Sequence, residues 1–356
     1  MELGLYTFGD VPLTGNSSQS AITHQRIKEL MEEIVLADQL GLDVFGIGEH
    51  HRADYSVSSP AVILGAAATV TKNIKLTSAV TVLSSDDPVR VFQDFSTVDQ
   101  LSGGIAEIMV GRGSFIESFP LFGYDLDDYD TLFEEKLELL LQLNKKEIIS
   151  WQGKHRPAIN QLGVYPRPYQ PALPVWIAVG GTRASVIRAG KLGLPLAVAI
   201  IGGMPEQFAP LVQLYRTTAT AAGHTAASLS VGINSHVYIG ETSQGAADEF
   251  FPSYTSMMNR IGRERGWSPI SREQYEYMRS PKGSLIVGSP QQVIDKILYE
   301  HELFKNTRFL AQISMGDMPH QKIMNAIELF GTKVVPVIKK TLKAPTTKKE
   351  KHEKDI

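Results

Sequence analysis

The hexapeptide Gly46-Ile47-Gly48-Glu49-His50-His51 carries two imidazoles and a carboxylate at the end of a short apolar run, Val44 to Ile47. Helix-like patterns flank that run on both sides, so the triplet falls where a buried parallel strand meets its loop. Chemistry collects at that edge in α/β folds. Histidine there can exchange a proton, hydrogen-bond a substrate or ligate a metal. Neighbouring residues of an extended strand face opposite ways, so His50 and His51 are badly placed to share one ion. The alternate pair is Glu49 and His51, and no carboxylate-histidine set waits at later strand ends to complete a metal site. A structural histidine pair and a histidine beside an organic cofactor both remain open.

A second constellation is Gly180-Gly181-Thr182-Arg183-Ala184-Ser185, directly after the run Val175 to Val179. Paired glycines admit close backbone approach, and the N-terminus of the following helix offers free N–H groups to an anion. The plain alternative is a tight turn capped by Thr182. Gly111-Arg112-Gly113-Ser114 ends the preceding core strand and puts a guanidinium on exposed backbone. In a barrel these loops are neighbours, so Arg112 and the Gly180 turn can share one phosphate. Gly316-Asp317-Met318-Pro319 is a rival anion loop, ranked second because Asp317 would repel the charge. His236, Gln312 and Ser314 lie inside strand patterns and are expected to form a polar network under the pocket. Ser84-Ser85-Asp86-Asp87 fits a helix-capping loop.

These residues need a scaffold. Apolar runs at 3–8, 44–47, 74–83, 105–110, 175–179, 196–201, 229–239 and 309–315 alternate with helical patterns. Few of them alternate strictly between apolar and polar, which indicates a parallel sheet covered on both faces. Eight repeats favour closure into a single (β/α)8 TIM barrel, spanning 1–342. The stretch 241–306 is too long for one crossover and is expected to be an insertion between the seventh and eighth strands, over the barrel mouth. Residues 144–174 form a turn-rich excursion, and 343–356 a lysine-rich, disordered charged tail.

Composition narrows the classes. The chain has 356 residues, 43% hydrophobic and 21% charged, with net charge −3 and no cysteine. Disulfides, thiolate metal sites and a cysteine nucleophile are therefore excluded. The charge gives no general attraction to nucleic acid. No apolar run approaches the roughly 20 residues that cross a bilayer, and the first apolar run is too short for a signal peptide. A cytoplasmic protein without nucleic-acid or membrane partners is expected.

Taken together, Glu49-His50-His51, Asp87-Pro88-Val89-Arg90, Asp99-Gln100-Leu101-Ser102-Gly103-Gly104, Gly111-Arg112-Gly113 and Gly288-Ser289-Pro290 resemble the bacterial luciferase-like flavin monooxygenases. The resemblance covers roughly residues 1 to 340. Leu162-Gly163-Val164-Tyr165-Pro166-Arg167-Pro168 is similar to an uncharacterised subgroup. One departure is Ile105, where the family commonly carries arginine.

The resemblance implies FMN bound at the C-terminal strand ends. Arg112 and the turn containing Gly180, Gly181 and Thr182 would hold its phosphate. Ala79 and Val80 would lie under the ring, at a peptide that is cis in many members. His50 would be the catalytic histidine. It further implies reduced FMN as co-substrate with dioxygen, a small organic substrate, a separate NAD(P)H-dependent flavin reductase and a homodimer. Two alternatives stay in view: a deazaflavin-dependent hydride-transfer enzyme on the same barrel, and a flavin-binding non-catalytic subunit.

Overall fold

The computed structural model describes residues 1–13 and 18–343. The expected tail from 343 lies outside the described residues, apart from Lys343 itself. The first half holds strands β1 (Glu2–Thr7), β2 (Val44–Ile47), β3 (Lys75–Ser78), β4 (Thr81–Val82) and β5 (Ala106–Gly111). Then come β6 (Ile148–Trp151), β7 (Ile159–Gly163), β8 (Val175–Val179) and β9 (Leu196–Ile200). The last are β10 (Val231–Ile239), β11 (Ile286–Gly288) and β12 (Arg308–Gln312). Eight of these pair in parallel around a ring, in the order β1-β2-β3-β5-β8-β9-β10-β12. Leu3 opposite Phe309 closes it, so the sheet has no free edge there. This is a TIM barrel.

The strand sequences lack alternation because both faces are buried. Leu3, Leu5, Phe45 and Ile108 face outward against the helices, while Tyr6, Val44, Met109, Trp176, Ala197 and Leu310 fill the interior. At the N-terminal end of the barrel Arg308, only 1% exposed, bonds both oxygens of Glu107 at 2.6 and 3.0 Å. Its guanidinium also covers the Trp176 ring at 4.2 Å. A buried arginine is tolerable only with such partners.

The covering helices in the first half are α1 (Gln19–Gln39), α2 (Pro60–Ala68), α3 (Pro88–Ser102), α4 (Ser118–Phe122) and α5 (Tyr129–Lys145). They continue with α6 (Arg183–Leu192), α7 (Ala209–Ala221), α8 (Ser243–Arg265), α9 (Arg272–Arg279) and α10 (Pro290–Phe304). The last helices among the described residues are α11 (His320–Leu329) and α12 (Val335–Lys343), joined by one wide π turn. Helix α1 starts at Gln19 because the Ser18 hydroxyl caps it, accepting from the Ala21 N–H. Asp87 caps α3 in the same way through Val89 and Arg90.

The apolar run 74–83 is not one strand. Its ladder stops at Ser78, whose hydroxyl accepts from the Met109 N–H at 3.1 Å and donates to the Met109 carbonyl at 2.9 Å. Those are the groups a continuing ladder would use. The Ala79–Val80 peptide that follows is cis, and pairing with β5 resumes at Thr81. The excursion at 144–174 contains an antiparallel hairpin, β6 with β7. Between β10 and β12 the chain forms α8, α9, β11 and α10. Strand β11 extends the end of β10 in parallel, and the Arg260–Asp54 pair at 2.9 Å ties α8 to the loop after β2.

Candidate active site

The loop after β2 folds so that the histidines part company. His51 turns outward to the Glu49 carboxylate at 2.8 Å. The second oxygen of Glu49 accepts from the Val82 backbone N–H at 2.9 Å. Glu49 is 7% exposed, and both of its oxygens are committed. His50 instead faces aromatic rings. It stacks on Tyr55 at 4.2 Å between centroids and meets Phe8 at 4.6 Å and Phe115 at 5.4 Å. Its Nδ1 is buried without a partner among the described residues. Burial, reinforced by the positive potential of His51 and Arg52, lowers the His50 pKa to about 3. The ring is therefore neutral at ordinary pH.

Glycines set the close packing around it. A Cβ on Gly48 would stand 2.4 Å from the Phe8 ring, and one on Gly111 only 2.8 Å from Val80. The Gly180 position is different, because an added Cβ meets nothing within 4 Å. Close protein packing does not explain that glycine; the space beside it is open.

Across the mouth, Arg112 donates to the Thr182 hydroxyl at 3.2 Å and pairs with Asp130. Its guanidinium lies over Tyr129 at 4.9 Å. Thr182 precedes α6, but its hydroxyl makes no cap hydrogen bond and faces Arg112 instead. The first N–H groups of α6 therefore have no side-chain cap, which leaves the Thr182–Ser185 turn suited to an anion.

One cavity of about 280 Å³ joins the two sides. His50, Ala79, Val80, Arg112, Gly180 and Thr182 all line it; Gly181 lies in the same turn, at φ 128°, off the wall. The cavity also takes Tyr6, Phe8, Tyr129 and Asn234, which the sequence reading did not single out as site residues. Tyr6 and Asn234 were readable as inward positions of β1 and β10, since residues two apart share a face.

Other expectations fare differently. His236 and Gln312 are buried, yet His236 Nδ1 and both Gln312 amide atoms lack hydrogen-bond partners among the described residues. They do not form a network. Ser314 does find one, accepting from Arg26 at 2.9 Å. The rival loop at Gly316 borders a cavity lined by Asp10, Glu29 and Asp317 as well as by Arg26 and His320, a mixed set with no surplus of positive charge to draw an anion. Asp10 is 2% exposed, and burial raises its pKa to about 7.

The sequence model of the family described as luciferase-like monooxygenase matches residues 1–306. The chain belongs to that family. Members of the luciferase-like monooxygenase family are flavin-dependent oxidoreductases. An uncharacterised protein, y4vJ of Sinorhizobium fredii, is 27% identical over 329 residues, covering 89% of this chain and 93% of its own. The monooxygenase RslO1 of Streptomyces bottropensis superposes with TM-score 0.82 at 23% identity, over 95% of this chain and 99% of that one. The oxygenating constituent of 3,6-diketocamphane monooxygenase from Pseudomonas putida, solved with FMN, gives TM-score 0.77 at 20% identity, over 95% and 98%. Among the described residues of this luciferase-like chain, no helix is long and apolar enough to cross a membrane.

Proposed function

We propose that the chain is an FMN-dependent monooxygenase that uses reduced FMN and dioxygen to oxygenate a small organic substrate. A separate NAD(P)H-dependent flavin reductase would supply the reduced flavin, and the working unit would be a homodimer. The observation that carries the reading is the single cavity running from the Arg112–Thr182 cradle, past Ala79 and Val80, to His50. A phosphate suits one end: a guanidinium, a hydroxyl, uncapped helix N–H groups and open space beside Gly180. A flat apolar ring suits the middle. The diketocamphane oxygenase is a fold relative that binds FMN.

When bound, reduced FMN supplies the electrons and the dioxygen chemistry. The chain supplies position, dryness and proton control. Phe8, Tyr55 and Phe115 pack against the His50 ring, and its Nδ1 is buried. Glu49 fixes the loop by bridging His51 and Val82. His50 would act as an uncharged hydrogen-bonding group toward the reacting centre. A pKa near 3 makes it a poor resident base at neutral pH.

Dioxygen consumption with FMN and a reductase tests the proposal. Activity should be lost in His50→Ala while FMN affinity stays within a few-fold of the parent. Equal loss of turnover and affinity would overturn the His50 role. Activity with a reduced deazaflavin and none with reduced FMN would overturn the cofactor.

A further inference from the structure

Arg112 is not presented bare to the cavity. Asp130, in the first turn of α5, pairs with Nη1, while Nη2 donates to Thr182. Tyr129, next in the chain to Asp130, lies under the guanidinium at 4.9 Å. The Arg112 side chain is 18% exposed and that of Asp130 68%. Asp130 makes no other ion pair among the described residues. Its carboxylate also sits at the positive end of α5, where it is stable without Arg112.

We infer that Asp130 competes with the flavin phosphate for Arg112 and so sets a deliberately loose grip on the cofactor. The inference rests on the phosphate-cradle reading above. A phosphate monoester carries about −1.5 to −2 charge, and its oxygens match the same edge of the guanidinium that Asp130 occupies. Binding must either displace the carboxylate or place the two anions side by side. Displacement is cheap, because an exposed carboxylate rehydrates readily. The penalty is therefore modest, and it falls only on flavins that carry the phosphate. Such a grip suits an enzyme whose flavin arrives reduced and leaves oxidised.

Fluorescence-quenching titrations with FMN and with riboflavin, which lacks the phosphate, separate the terms. Asp130→Asn and Asp130→Ala should bind FMN ~3- to 10-fold tighter than the parent at low salt, with riboflavin unchanged. The gain should shrink as salt rises. Unchanged FMN affinity in both variants would overturn the inference. So would weaker FMN binding, which would make Asp130 a positioning residue for Arg112. Arg112→Ala reports on the underlying cradle: it should weaken FMN and spare riboflavin. If Arg112→Ala affects both flavins alike or neither, the cradle reading itself is wrong, whatever Asp130 does.

Discussion

The Glu49 carboxylate accepts from the Val82 backbone N–H at 2.9 Å, so the loop after β2 is pinned to β4 across the Ala79–Val80 peptide. Its other oxygen holds His51. One buried carboxylate thereby fixes the position from which His50 turns toward the cavity.

Replacing Glu49 with Ala leaves a buried N–H and an imidazole without their partner. Such losses cost about 1–3 kcal/mol each. Urea unfolding should show a destabilisation of ~2–4 kcal/mol, with turnover reduced more than FMN affinity. Glu49→Gln can keep one of the two bonds and should fall between the parent and Glu49→Ala. Parental stability in Glu49→Ala would show that the pin is unimportant.

The depressed pKa of His50 has a consequence for stability. Its folded value is about 3, while the unfolded side chain titrates near the usual 6.5. Between those values the unfolded chain binds a proton that the folded chain does not. The His50 contribution is therefore constant above pH 6.5 and is lost progressively as pH falls toward 3. Comparing pH 7 with pH 4.5, His50→Gln should lose ~2 kcal/mol less stability than the parent. Turnover should also lack a His50 ionisation between pH 5 and 8. A protein with equal acid sensitivity in both forms would contradict the assignment.

Gly111 is held by contact more than by conformation. An added Cβ would meet Val80 Cγ2 at 2.8 Å and two further Val80 atoms at 3.2 Å. Gly111→Ala should push Val80 toward the cavity, destabilise by ~1–3 kcal/mol and weaken both FMN and riboflavin. Gly180→Ala, with nothing within 4 Å of its Cβ, should leave stability unchanged. If it weakens FMN alone, the space beside it is used by phosphate. Thermal melts and flavin titrations on the pair check both statements.

Much of this was legible in the residues. Val44–Ile47 and Val175–Val179 have the bounds the sequence predicts, because a glycine ends each apolar run. The contact between Arg112 and Thr182 was readable too, since adjacent barrel loops must bring the two residues together. The break after Ser78 was not legible in the residue pattern, because β-branched residues stand on both sides of it; the resemblance pointed only to the Ala79–Val80 peptide, and the Ser78–Met109 bonds came from the structure. Nor was Asp130, whose role depends on which way α5 presents its first turn. The Tyr165-Pro166-Arg167 segment proves to be a brace: Arg167 donates to the carbonyls of Leu143, Asn144 and Lys146 at the end of α5. That bonding was hidden because its acceptors are backbone atoms, which any sequence would supply.

The central claim is that one cavity holds FMN with its phosphate at Arg112 and its reactive edge at His50. A crystal structure with FMN bound tests it most directly. The account predicts phosphate oxygens on Arg112, Thr182 and the N-terminal turn of α6, the ring against Ala79 and Val80, and His50 within hydrogen-bonding reach of the ring edge. FMN phosphate lodged instead beside Gly316, or a ring turned away from His50, would contradict it.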